Sequence, residues 1–152
     1  MPDAIIDRIN PTEIETITHL YNSIFRPERE AEWITRRMGV PERTLVQVAR
    51  IDNDAVGFYC GYESRPCPPR MWLVGVVPDL RRTGIASQLT DAAEDWARTE
   101  GYKHMRFECS NRVRPFMHLG IAQGYDVVGM RYDRELMTNL VMFEKALNES
   151  AE

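Results

Sequence analysis

The run Val76-Val77-Pro78-Asp79-Leu80-Arg81-Arg82-Thr83-Gly84-Ile85-Ala86 joins an apolar segment to an amphipathic one. A strand, a tight turn and a helix start in that order make an anion site. The first helical N–H groups have no partner inside the helix, and the helix dipole adds positive charge there. Gly84 allows the backbone to approach a bulky anion closely, Ala86 keeps the first turn free of bulk, and Arg81 and Arg82 add charge suited to phosphates. The same residues also fit an ordinary strand-to-helix turn with two solvated arginines, because glycine-containing loops of this kind recur without ligands.

The elements that must position this loop follow from periodicity. Ala4–Ile9 is a short β-rich run. Asn10-Pro11-Thr12 offers a helix start with Pro near the first turn, and Ile14, Ile17, Leu20, Tyr21 and Ile24 recur at helical spacing to about Phe25. Arg26-Pro27 breaks that helix, and a second covers Glu28–Met38 and ends at Gly39-Val40-Pro41. Thr44–Arg50 and Ala55–Glu63 read as a hairpin turned by Asp52-Asn53-Asp54. Arg65-Pro66-Cys67-Pro68-Pro69-Arg70 reads as irregular, since its prolines remove donors, and Met71–Val77 as a strand buried on both faces. After the loop, Ile85, Leu89, Ala92, Ala93, Trp96 and Ala97 form one helical stripe that Gly101 terminates. His104–Cys109 is a strand, Pro115 opens a helix ending near Gly124, and Tyr125–Tyr132 and Leu140–Lys145 are the last strands. The order β-α-α-β-β-β-α-β-α-β-β predicts a mixed sheet with helices on both faces.

Arg81-x-x-Gly84-x-Ala86, preceded by Val-x-Pro, resembles the coenzyme A pyrophosphate motif of the GNAT acetyltransferases, Arg/Gln-x-x-Gly-x-Gly/Ala. Gly124-Tyr125 resembles the family's late Gly-Phe, and Asn139–Lys145 its closing strand. The resemblance covers most of the chain. It implies an α/β (α+β) fold with a mixed, mostly antiparallel sheet of about seven strands. It also implies acetyl-CoA as acyl donor, with no metal. The pyrophosphate would lie on backbone N–H groups of Arg81, Arg82, Thr83, Gly84, Ile85 and Ala86, and the edge of Val74–Val76 would pair with the pantetheine arm. Gly75 fits a bulge or a close backbone approach. Asn111 resembles the family's asparagine, and would hydrogen-bond the pantetheine or cap the next helix.

Acyl transfer needs a neutral amine, a donor for the oxyanion such as a backbone N–H near Val76, and a proton for the leaving thiolate. Here the chain departs from the family. The glutamate five residues before the motif proline is replaced by Leu73, leaving Glu108 and Glu63 as base candidates against the reading that each is solvated or salt-bridged. The family's tyrosine acid, counted back four from Gly124, meets Gly120; counted forward seven from Asn111, it meets His118. His118 suits an acid because imidazole titrates near neutrality, and otherwise reads as an exposed helix histidine. Tyr132 is a distant alternative. Cys109 sits near the thioester or is inert packing, and Arg112 and Arg114 reach phosphates or are solvated.

Composition narrows the remaining classes. A chain of 152 residues, 43% hydrophobic and 28% charged, reads as one globular domain over residues 1–152. The apolar runs are too short to span a bilayer and no signal peptide is visible, which predicts a cytoplasmic protein with no membrane partner. Cys60, Cys67 and Cys109 form no CxxC pair and read as free thiols. The net charge of −4 argues against nucleic acid and favours a cationic substrate. The acceptor is expected to be a small-molecule or peptide amine. Met130, Met137 and Met142 in the late strands predict a homodimer, or else fill the core. A non-catalytic acyl-CoA-binding or sensing module on the same fold is the rival reading.

Overall fold

The N-terminal run supplies β1 (Ile5–Ile9), and the computed structural model describes residues 4–39, 43–64 and 67–147. Two helices follow, α1 (Ile14–Ile24) and α2 (Ala31–Met38). Then come β2 (Thr44–Ile51), β3 (Asp54–Ser64) and β4 (Cys67–Val76). The chain continues with α3 (Ile85–Thr99), β5 (His104–Ser110), α4 (Arg114–Ala122), β6 (Asp126–Asp133) and β7 (Thr138–Ala146). The order agrees with the sequence reading. All seven strands form one sheet, β1-β2-β3-β4-β5-β7-β6, in which only β4–β5 is parallel.

Local chemistry sets the boundaries. Asp52 and Asn53 both have positive φ, the left-handed turn that suits a tight hairpin between β2 and β3. Gly101 and Gly124 close α3 and α4 with positive φ, and Tyr102 N–H and Tyr125 N–H reach back to Ala97 and Gly120 carbonyls. The start of α1 differs from expectation. Asn10 accepts from Thr12 N–H while its own N–H donates to Glu13, so Pro11 sits in a turn before the helix rather than in its first turn. Likewise α2 begins at Ala31, because the Arg29 backbone is bonded by the Asn22 side chain and held out of the helix. Val40 and Pro41, expected to end α2, lie outside the described residues, as do Arg65 and Pro66.

The proline run is a correction. Cys67, Pro68, Pro69 and Arg70 belong to β4, because the β3–β4 ladder is already irregular between Tyr62 and Ser64 and makes few demands on donors there. Burial of β4 on both faces is incomplete: Trp72 and Leu73 are only half-buried.

The sheet divides two cores. On one face Ile85, Leu89, Ala93 and Ala97 of α3 pack on Leu45, Tyr59, Val74 and Phe107, with Phe116 and Leu119 of α4 alongside. On the other, Ile17, Leu20 and Tyr21 of α1 and Ile34 and Met38 of α2 pack on Val46, Val48 and Phe58. β6 forms one edge and is exposed along most of its length. Among the described residues no helix is long and apolar enough to cross a membrane.

Candidate active site

After β4 the chain makes a single 3-10 turn, Pro78–Leu80, and then the loop that starts α3. Gly84 is the N-cap of α3 with φ 90°, and Arg82 also has positive φ at 65°. Two left-handed residues flanking Thr83 turn the chain so that successive N–H groups face outward. Leu80 and Arg81 donate back to Val77 and Pro78, and Gln88 to Gly84. Among the described residues, no hydrogen-bond acceptor is found for the N–H groups of Arg82, Thr83, Gly84, Ile85, Ala86 or Ser87. Thr83 Oγ1 donates to Leu80 O at 2.6 Å, which stiffens the loop.

Beside this loop the sheet comes apart. β4 and β5 pair only at Arg70–Arg106 and Met71–Phe107. Directly afterwards β4 carries a bulge: Met71 pairs with Gly61 and Leu73 with Cys60, leaving Trp72 extra. Trp72 and Leu73 therefore both face the α1/α2 core, while Met71 and Val74 face α3. Val77 N–H bonds Val56 O on the β3 side. Strand alternation then turns the N–H and C=O groups of Val74 and Val76 to the edge that β5 has left. The Val76 carbonyl is taken by Arg81 Nε at 3.2 Å.

The split edge and the loop bound a groove of about 560 Å³. Of the residues expected to hold the cofactor, Val74, Val76, Arg81, Arg82, Gly84, Ile85 and Ala86 line it, with Gly75 between the two valines, whereas Thr83 and Asn111 do not. Sequence reasoning missed its two side walls: Ile24 and Phe25 from the end of α1, and Val113, Pro115, Phe116 and Leu119 from α4. Val113, Phe116 and Leu119 recur every three positions, a signal for an apolar helix face but not for what it lines. Of the two reasons expected for Gly75, a bulge or a close approach to the backbone, the structure shows the second, made by a side chain. The bulge is at Trp72, and a Cβ on Gly75 would lie 2.9 Å from the Phe25 ring. Its bareness lets Phe25 close over the strand.

The residues expected to move protons are dispersed. Glu108 lies one residue beyond the last β4–β5 pair. Met105, Phe107 and Cys109 face α3, so Glu108 faces the other side. One Glu108 oxygen is 3.4 Å from Arg70 Nη1 and the other 3.0 Å from Arg131 Nη2. Glu63 accepts a hydrogen bond from the Tyr102 hydroxyl and sits at the end of β3 away from the groove, next to the Tyr62–Arg70 pair. His118 is exposed on α4 and does not line the groove, and Tyr132 is exposed on β6. Asn111 does not cap α4, whose N-cap is Val113. Its Oδ1 accepts from Thr138 and its N–H donates to Asn139 O, tying β5 to β7. Burial pushes the Cys109 thiol up to about 11, which keeps it protonated and suits packing. Arg112 and Arg114 are exposed and outside the groove lining. Gly120 is buried, and a Cβ there would lie 2.9 Å from both Phe107 and Phe143, so no tyrosine fits that slot. Among the described residues no group of three or more His, Cys, Asp and Glu side chains is arranged to hold a metal.

Comparison with known proteins agrees with this geometry. The fold matches the ribosomal-protein-S18-alanine N-acetyltransferase of Escherichia coli with a TM-score of 0.81 at 14% identity, over 99% of this chain and 97% of that one. An N-acetyltransferase from Staphylococcus aureus matches with a TM-score of 0.74 at 17% identity, over 96% and 99%. A Salmonella typhimurium protein, in a structure with its cofactor acetyl-CoA, matches with a TM-score of 0.72 at 16% identity, over 99% and 97%. At these identities the likeness is one of fold. No curated protein sequence matches the chain significantly. The family model described as "Acetyltransferase (GNAT) family" matches residues 13–121, a span holding the loop, the split strand edge and both groove walls, and the chain therefore belongs to the GNAT acetyltransferase family.

Proposed function

We propose that this chain is one acetyl-CoA-dependent N-acetyltransferase domain, cytoplasmic, that moves an acetyl or short acyl group to a primary amine within a ternary complex. The observation that carries the reading is the row of unpaired N–H groups from Arg82 to Ser87, opening on a groove whose far wall is an unpaired strand edge. The residues present fit a coenzyme A thioester: N–H groups and Arg81–Arg82 for phosphates, the edge groups of Val74 for the amides of an extended arm, and Val76 N–H for the thioester carbonyl. In that reading the bound thioester supplies the acyl group, the amine nitrogen forms the new C–N bond, the C–S bond breaks, and the amine proton leaves to solvent or to the thiolate.

The chain's own contribution is mainly position and dipole. The outward N–H of Val76 is the candidate oxyanion donor. Glu108 remains the best-placed carboxylate. However, both its oxygens are held by guanidiniums, and accepting a proton would break one of those contacts. We therefore assign it to ordering Arg70 and Arg131, with the amine arriving neutral. His118 and Asn111, on their present placement, support neither step. A second reading, a non-catalytic acyl-CoA-binding module, is favoured by one observation: Gly120 leaves no room for the family's acid. Thiol release from acetyl-CoA over a panel of amines decides. Sustained release with at least one amine supports transfer, and tight acetyl-CoA binding without release from any amine supports the module.

We also propose a homodimer through β6, on which Val127, Val128, Met130 and Tyr132 are 50–62% exposed. Of the methionines expected there, Met130 and Met137 are exposed and Met142 is half-buried. Sedimentation showing only monomer at high micromolar concentration would reject the dimer.

A further inference from the structure

On the α1/α2 side of the split, two guanidiniums share one indole. The Arg29 guanidinium carbon lies 4.3 Å from the centre of the Trp33 ring and that of Arg37 5.5 Å from it, with Arg37 also 5.9 Å from Trp72. The Trp33 and Trp72 rings are 6.2 Å apart, and Trp72 stacks on Tyr21. Trp72 is the bulge residue, at the point where β4 leaves β5. The cluster therefore borders the opening from the face opposite the α3 groove.

Its charges are unbalanced. Arg50, Arg70, Arg98, Arg106 and Arg131 each have a carboxylate partner. Among the described residues neither Arg29 nor Arg37 has one, and Arg29 Nε is buried without any hydrogen-bond partner. Carboxylates are close in sequence, yet Glu28, Glu30 and Glu32 remain exposed and do not turn in. Two like charges share one aromatic ring, Arg37 exposed to solvent and Arg29 with a buried unused donor, so the pair has capacity for an anion. A planar oxyanion is what two guanidinium forks bind best. Arg70 precedes Trp72 by two residues on the same strand face, and its charge is answered by Glu108, so the uncompensated charge on this face is that of Arg29 and Arg37.

We infer that Arg29 and Arg37, stacked on Trp33 and Trp72, recognise an oxyanion on the acceptor. The acceptor is then an amine that also carries a carboxylate or a phosphate, rather than a purely cationic amine as the net charge of −4 suggested. This inference rests on the acyl-transfer reading and names the substrate class of that site.

Matched probes test it: L-alanine, L-phenylalanine and L-glutamate against their α-amides, and phosphoethanolamine against ethanolamine. Two readouts are followed with acetyl-CoA present, indole fluorescence and thiol release. Trp33 and Trp72 belong to the cluster, and Trp96→Phe, which removes the remote indole in the α3 core, should leave the change intact. The oxyanion-bearing member of at least one pair should give a saturable fluorescence change that its partner does not. The double variant Arg29→Ala/Arg37→Ala should weaken that member about tenfold or more, through KM or Kd, while the partner and acetyl-CoA affinity stay unchanged. A response confined to the amino acids assigns a carboxylate, and one confined to phosphoethanolamine a phosphate. Equal behaviour within every pair, or equal loss for both members in the double variant, overturns the inference. Thiol release without such discrimination overturns it and leaves acyl transfer standing. Selective fluorescence binding with no thiol release from any amine retains the anion site and overturns acyl transfer.

Discussion

Between apolar side walls from α1 and α4, the polar groups that the groove offers come from main chain: the N–H row of Arg82–Ser87 and the open edge of Val74 and Val76, with small residues at Gly75, Gly84 and Ala86. On the α1/α2 face the opening is bordered by large side chains from separate elements, Trp33 and Arg37 of α2, Trp72 of β4 and Arg131 of β6. The difference bears on how each surface varies. A site of backbone groups demands a few glycines and small residues at fixed offsets, so it can be read as a motif. A site of side chains on distant elements carries no spacing of its own and is free to suit a different acceptor in each relative.

The two faces also hold their ion pairs differently. Under α3, Glu94 is 3% exposed and accepts from Lys145 Nζ at 2.8 Å, which also donates to Gln123 O. The Glu108 pairs with Arg70 and Arg131 are more open, the arginines being 30% and 53% exposed. Lys145→Met leaves the buried Glu94 carboxylate with only Arg98 Nη2, at 4.0 Å, as a cation partner among the described residues, and should cost about 3 kcal/mol, the low end for a broken buried pair, read by urea denaturation. A loss below about 1 kcal/mol, the range of surface pairs, would erase this contrast.

Gly84→Asp sets bulk and negative charge against the N–H row. It should weaken acetyl-CoA about 100-fold, roughly 2.7 kcal/mol, in calorimetry on a folded protein. Unchanged affinity would move the donor site elsewhere. Gly120→Ala drives a methyl into the stacked Phe107–Phe143 pair, whose centroids are 4.7 Å apart. It should lower stability by about 1–3 kcal/mol, and an unchanged melting temperature would mean that α4 has room for a side chain at that position. Glu108→Gln is the smallest effect. If Glu108 orders the arginines, acceptor KM should rise about tenfold, roughly 1.4 kcal/mol, with an unaltered pH profile. Loss of the acidic limb with a fall of about 10²–10⁴ in rate would instead make Glu108 the base.

Much of the first face was legible in the residues. Arg81, Gly84 and Ala86 stand where the motif requires them, and the apolar stripe of α3 and the closing glycines Gly101 and Gly124 set the helix limits. What escaped was decided by packing across the sheet. Phe25 closes on Gly75 because α1 crosses β4, which no local pattern encodes. The prolines of β4 are tolerated because its ladder is irregular there, and the bulge at Trp72 shows only in the register with β3. Glu108 reads as a base or as a solvated or salt-bridged carboxylate, and only the fold supplies its partners, Arg70 and Arg131 from other strands. The Arg29–Trp33–Arg37 group is visible only as helical spacing, and its relation to Trp72 needs the fold.

The central claim is that the donor lies on main chain at the split between β4 and β5. Amide exchange measured by NMR with and without acetyl-CoA tests it most directly. The account predicts strong protection of the Val74 and Val76 amides and of Arg82 through Ser87, with Trp33, Arg37 and Trp72 little changed. Saturating acetyl-CoA that leaves those groove amides exchanging at their free rates would contradict it.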